Sequence, residues 1–279
     1  MAYKSLLTVL TDPKLSTSAL PYLVALAEAQ DAHVEALCLG VDRTQTGYYY
    51  AGANAMILQE TLSRANAESE QILAAAKEQL NKSGVRWSAE DGVAQIADLG
   101  RHVAHRARFN DLVVLPHPYG KGRGAEAEPI VEAAMFEGHA PVLITPDQGE
   151  PKGQPKTILV AWNESVEAMR AIRQSLPFLT GADQVRIVVI DPPQHGPDRS
   201  DPGGLLSQML ARHGVRCEID VLSKTMTRVS DILNRHAADT NADMIVMGAY
   251  GHSRFREAIL GGATRNMLEQ AQVPIFMAH

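Results

Sequence analysis

Short, mostly apolar runs alternate along the chain with longer segments whose apolar residues recur three and four apart. Lys4–Leu10, His33–Leu39 and Asp111–Leu115 are runs of the first kind. Ser18–Gln30, Met56–Lys82 and Ile96–Ala107 are segments of the second kind. Period 3.6 marks an amphipathic helix, and a short continuous apolar run marks a strand buried on both faces. Strands that alternate with helices in this way predict a parallel sheet covered by helices on both sides.

The pattern then repeats. Lys156–Trp162 matches Lys4–Leu10, and Ser165–Leu176 matches the first helix. Val185–Ile190 follows as a second strand, and shorter helical segments are expected at Gly203–His213 and Val229–Ala238. Asp243–Met247 corresponds to Asp111–Leu115, and each half closes on a proline-led apolar run, Pro141–Thr145 and Pro274–Ala278. The order of elements is that of a tandem duplication. Asp147–Pro155 is polar and rich in glycine and proline, as a linker would be. The predicted fold is α/β, with two tandem Rossmann-like domains, 1–147 and 155–279. Each is expected to hold a five-stranded parallel sheet with helices on both faces. In such sheets ligands bind beyond the carboxyl ends of the strands. The ends at Trp162-Asn163-Glu164, Val189-Ile190-Asp191 and Met247-Gly248 are therefore expected to line one crevice.

Charge and composition narrow the classes. The 279 residues carry 26 Lys and Arg against 32 Asp and Glu, a net charge of −6. A general nucleic-acid binder should be basic, so no nucleic-acid partner is expected. No apolar run approaches the ~20 residues of a membrane span, so no membrane partner is expected either. Met1–Ser5 lacks a signal peptide's long apolar core, and the expected location is cytoplasmic. Cys38 and Cys217 sit in strand-like runs without metal-ligand spacing and read as buried free thiols. His102 and His105, three apart, read as a solvated helix face, Tyr48-Tyr49-Tyr50 as packing under a loop, and Asp191, Asp198 and Asp201 as loop residues without a role.

One segment stands out chemically. An apolar strand ends at Gly248; Gly251 follows three positions later; nine residues separate it from Gly261; and a helix-like segment starts there. Glycine lets backbone approach an anion, and the free N–H groups of a helix start point at it. The first half has Pro116 and Tyr119 in place of Gly248 and Gly251. Proline has no N–H to donate. Glu126 and Glu128 follow, placing carboxylates where phosphate needs donors. One half is expected to be degenerate and one competent.

The glycine spacing resembles the nucleotide motif of the universal stress protein family, whose folds are related to adenine-nucleotide alpha hydrolases. Gly262 stands where that family usually has a hydroxyl, and Thr264 matches a common threonine. The resemblance implies that Asn163, at a position usually held by Asp, and Val189 meet the adenine, and that Met247 packs on it. It implies that the backbone of Gly248, Gly251, Gly261, Gly262 and Ala263 meets phosphate, together with Thr264. The implied ligand is ATP, or AMP or ADP, with or without Mg. The implied role is regulatory or protective in stress. No Ser–His–Asp arrangement or general base can be named, so catalysis is not expected. A nucleotide-free interaction module and a slow ATPase remain as alternatives. In the family the closing strands pair across a dimer interface. Here Val142–Thr145 and Ile275–Ala278 could supply both copies as an intrachain pseudo-dimer, and a homodimer of two chains stays open.

Overall fold

The computed structural model describes residues 2–14, 16–43, 54–120, 122–147, 151, 153–192, 201–251 and 262–279. The Tyr48–Tyr50 run, Lys121, Asp198, Gly261, His252, Ser253, Arg254 and Arg256 lie outside these residues, as do 148–150 and 152 of the expected linker. The chain forms two compact units.

The N-terminal unit comprises Tyr3–Pro116 and Lys121–Ala140. Its strands are β1 (Ser5–Leu10), β2 (His33–Asp42), β3 (Arg86–Gln95) and β4 (Leu112–Pro116). They are parallel, in the order β3-β2-β1-β4. The helices are α1 (Ser16–Gln30), α2 (Asn54–Leu80), α3 (Ile96–Ala107) and α4 (Ala127–Phe136). Leu112–Leu115 of β4 are all buried, as continuous apolar runs in a covered parallel sheet should be.

The C-terminal unit is Met1–Ala2, His117–Gly120 and Pro141–His279. It holds β5 (Val142–Thr145), β6 (Thr157–Ala161), β7 (Gln184–Ile190), β8 (Cys217–Leu222), β9 (Met244–Gly248) and β10 (Ile275–Ala278). Its described helices are α5 (Val166–Gln174), the single turn α6 (Leu176–Leu179), α7 (Gly204–Arg212), α8 (Val229–Asp239) and α9 (Ala263–Gln270). The strand order is β5-β10-β9-β6-β7-β8. All pairings are parallel except β5 with β10, which is antiparallel with Leu143 opposite Phe276. This pairing gathers β5, the strand that closes the first half, into the C-terminal unit. The fully buried Phe276 meets Phe178 edge-on at 6.0 Å, joining β10 to α6.

One local arrangement recurs in both units. Asp111 Oδ2 accepts from the backbone N–H groups of Lys4 and Ser5 at 2.7 and 3.0 Å. Asp243 Oδ2 does the same for Lys156 and Thr157, at 2.9 and 3.1 Å. Each aspartate's own N–H returns a bond to the same strand start, at 2.9 and 2.8 Å. The aspartate thus pins the first residue of each unit's central strand to the first residue of the strand beside it.

Candidate functional site

In the C-terminal unit the chain crosses from one side of β6 to the other, since β7 and β9 flank it. Such a reversal of strand order opens a crevice at the carboxyl ends. A cavity of about 630 Å³ lies there. Its walls come from the ends of β6, β7 and β9 and the starts of α8 and α9, with residues just before α5.

Eight of the nine residues singled out from sequence line this one cavity: Asn163, Val189, Met247, Gly248, Gly251, Gly262, Ala263 and Thr264. Gly261 lies outside the described residues. Trp162, Glu164 and Asp191, on strand ends expected to share a crevice, line it too. Asp191 therefore does not belong with loop residues of no account. Val229 and Leu233 of α8 complete one wall. They carried no signal in the sequence, because their place depends on how α8 packs rather than on any motif.

The individual residues differ from simple expectation. Asn163 Oδ1 accepts from Ser165 N–H at 3.2 Å, closing a tight turn before α5. Asp12 Oδ1 makes the same turn with Lys14 N–H at 2.7 Å in the first half. The amide nitrogen is then what Asn163 has left to offer. Ser165 is the N-cap of α5, its Oγ accepting from Ala168 N–H at 3.1 Å. Val189 and Met247 are buried apolar surface.

Gly248 is required by packing. A Cβ there would stand 2.5 Å from the Ala168 nitrogen and 2.7 Å from the Glu167 carbonyl carbon, both in the backbone of α5. Gly251 is looser; its Cβ would meet only the Glu167 side chain, at 3.2 Å, and Ser165 Oγ, at 4.0 Å. Thr264 is buried, and its hydroxyl accepts from Tyr250 N–H at 3.0 Å. It therefore ties the strand end to the start of α9. Tyr250 itself adopts a left-handed backbone, φ 56°. Gly262 occupies the N-cap of α9 with no side-chain cap and no acidic residue in the first turn. That helix start keeps backbone donors at the cavity wall.

Among the described lining residues there are two carboxylates, Glu164 and Asp191, and no Lys, Arg or His. Two cations among the described residues of α5 and α9 are engaged elsewhere. Arg170 donates to the His279 carbonyl at 2.9 Å, and Arg265 pairs with Glu269 at 3.0 Å while lying over the Tyr119 ring. Beyond the cavity wall, Asp220 holds Arg186 through two bonds of 2.7 Å and His236 of α8 through another of 2.7 Å. Burial pushes the Asp220 carboxyl up, but the hydrogen bonds and charges of Arg186 and His236 together hold it below the usual carboxylate range. Among the described residues, no group of three His, Cys, Asp or Glu side chains converges as metal ligands would. No described helix is long and apolar enough to cross a membrane. His105 lies edge-on to Phe109 at 5.8 Å. Cys38 is buried, whereas Cys217 is only half-buried, against the expectation that both would be enclosed.

The same region of the N-terminal unit is built differently, and a smaller cavity of about 260 Å³ lies between the end of β2 and α2. Counted from the first paired residue of the second strand, Gly40 takes the place of Asp191. A Cβ on Gly40 would come within 1.8 Å of the Ala65 carbonyl oxygen, so the backbone of α2 lies directly against the last part of β2. Glu126, the N-cap residue of α4, stands where Gly262 precedes α9. Its carboxylate is 3% exposed and pairs at 2.5 Å with Arg43, which also reaches Glu68 of α2 at 3.2 Å. A carboxylate carried by the chain, with its own counter-ion, fills the ground before this helix.

Comparison with known proteins agrees with the fold. A universal stress protein from Archaeoglobus fulgidus DSM 4304 superposes with a TM-score of 0.69, covering 98% of this chain and 95% of its own at 15% identity. A candidate universal stress protein from Pseudomonas aeruginosa UCBPP-PA14 gives 0.62, covering 99% and 93% at 14% identity. At these identities the likeness is one of fold. In sequence, universal stress protein Slr1230 from Synechocystis is 24% identical over 157 residues, which are 54% of this chain and 50% of that protein. The chain thus spans about half the length of that curated relative. The family model described as the universal stress protein family matches residues 155–279. The C-terminal half of this chain is a universal stress protein family domain.

Proposed function

We propose that the C-terminal unit binds an adenine nucleotide, ATP or one of its lower phosphates, in the cavity at the end of β6, β7 and β9, and that the protein is a nucleotide-responsive regulator rather than a catalyst. The observation that carries this reading is the convergence of eight motif residues on one cavity of about 630 Å³. Small-molecule sites commonly run from about 300 to 1,000 Å³, with apolar walls and a few placed polar groups. Val189, Met247 and Leu233 supply apolar surface for a base, and the uncapped start of α9 supplies N–H donors for phosphate. The two hydroxyls in the wall, Ser165 and Thr264, are both engaged with backbone N–H groups. Neither is poised as a nucleophile, which supports a binding role. The N-terminal unit, closed by α2 and the Glu126–Arg43 pair, serves as a non-binding partner domain, in a cytoplasmic protein.

The test is calorimetric titration of the purified chain with ATP, ADP and AMP, each with and without Mg, beside mass spectrometry of small molecules released on denaturation. Saturable binding of at least one, lost in Gly251→Arg, is expected. No binding by any of them, and no released nucleotide, would reject the reading in favour of a nucleotide-free interaction module. That second reading draws on the two acidic wall residues and on the lack of a cation among the described ones.

A further inference from the structure

Asp191 is a carboxylate of the cavity wall that neither the glycine motif nor the packing accounts for, and it directly follows β7, the second strand of its unit. The Asp191 N–H donates to the Leu222 carbonyl at 2.9 Å, extending the ladder one residue past the strand. Its backbone then turns left-handed, φ 51°, a conformation that Asp tolerates better than most residues. It lines the cavity at its exposed rim, and its carboxylate makes no hydrogen bond or ion pair among the described residues. Nothing in the fold needs a carboxylate there. In the N-terminal unit Gly40 holds the same register position, but inside β2, which runs two residues further to Asp42, and under the backbone of α2. The acidic residue that ends β2, Asp42, is buried, whereas Asp191 stands exposed at the rim of the larger cavity.

We infer that Asp191 is a specificity-determining residue that accepts hydrogen bonds from the ribose hydroxyls of the bound nucleotide, so that the cavity selects ribonucleotides over their 2′-deoxy counterparts. A carboxylate is acceptor-only and can take two hydroxyl donors at once, which suits a vicinal diol. In doubly wound sheets an acidic residue beyond the second strand does this for dinucleotides, because base and phosphate lie on either side of that strand end. β7 is the second strand of its unit. Val189, two residues earlier, faces the proposed base position, and the start of α9 faces the phosphate, which leaves Asp191 at the rim with the sugar. Its exposure matters here, since a carboxylate in water forms these bonds without having been buried unpaired.

The inference rests on the nucleotide reading and is separable from it. Titration of AMP and 2′-deoxy-AMP into the intact chain should show about tenfold tighter binding of the ribonucleotide, the scale of one charge-assisted hydrogen bond. Asp191→Gly accepts the same left-handed backbone and reproduces the residue at position 40. It should bring the two affinities within about twofold, through weaker ribonucleotide binding alone. Asp191→Asn, which keeps size and backbone tolerance, should fall between. Unchanged thermal midpoints in both variants would show the fold intact. Equal affinity for the two nucleotides in the native chain, or a ratio preserved in both variants, would overturn the assignment while leaving nucleotide binding in place. Binding of neither nucleotide, nor of ATP, would overturn the nucleotide reading itself.

Discussion

Gly248 and Gly251 belong to one motif, yet the structure assigns them different physical duties, and Gly248→Ala separates them. An added Cβ at 248 would lie 2.5, 2.7 and 2.9 Å from three backbone atoms of α5, against the 3.4 Å at which ordinary contact begins. No side chain can swing aside; either the first turn of α5 or the end of β9 must move by roughly 0.5–1 Å. Ala168, Ala171 and Ile172 are each 0 or 1% exposed, so that shift would be felt along the helix's whole buried face. Overpacking of this kind costs about 1–3 kcal/mol, and a clash with backbone belongs at the upper end, about 2–3 kcal/mol. At Gly251 the nearest atom is the tip of the Glu167 side chain at 3.2 Å, so Gly251→Ala should stay within about 0.5 kcal/mol of the native chain. Urea unfolding by tryptophan fluorescence reads this well, because Trp162 lies at the cavity and Trp87 on β3 of the other unit. A Trp87→Phe background leaves Trp162 as the reporter of the C-terminal unit. The midpoint should drop for Gly248→Ala at an unchanged m-value. Equal losses for the two variants, or a Gly248→Ala loss below about 0.5 kcal/mol, would refute the packing argument.

Three further outcomes follow from the same geometry. Asp220 titrates below its ordinary 3.8 when folded, so its stabilisation is present above that value and is lost as the pH falls through the lower, folded one; Asp220→Asn should flatten the acid limb of a plot of urea midpoint against pH. Thr264→Val leaves the buried Tyr250 N–H without its acceptor and should cost about 1–2 kcal/mol by chemical denaturation, with a matching rise in hydrogen exchange at Tyr250. Burial pushes the Cys38 thiol up to about 12, aided by the Asp91 charge, so at pH 8 a thiol reagent should modify Cys217 in the native protein and reach Cys38 only on unfolding.

Much of the fold was written in local pattern. Ile96–Ala107 appears as α3 with the bounds that its spacing implied, because its buried face is set by Leu99, Val103, Ala104 and Ala107 alone. The three strand ends expected to share a crevice do so, since parallel order follows from strand–helix alternation. What the sequence hid depends on distant contacts. Nothing local to Gly248 shows that α5 presses on it, and the purpose of Thr264 is visible only once Tyr250 is beside it. Glu126 was legible as a carboxylate where phosphate would need donors, but the helix it begins was not, and its partner Arg43 lies 83 residues away. The expected helix Ser165–Leu176 runs past the break at Ser175 and stops at the first residue of the turn Leu176–Leu179, because Ser175, buried and bonded to the Ile172 carbonyl, keeps the apolar spacing up to Leu176.

The antiparallel pairing of β5 with β10 bears on how the chain can be divided. A cut inside the polar stretch before residue 155 looks natural, yet it would strip Val142–Thr145 from Ile275–Ala278. All four residues of β10 are buried in the intact chain, so the severed piece would present an apolar strand edge ready to recruit another chain. A fragment beginning at residue 155 should therefore self-associate through β10, and one beginning at Pro141 should stay monomeric at the same concentration in analytical ultracentrifugation.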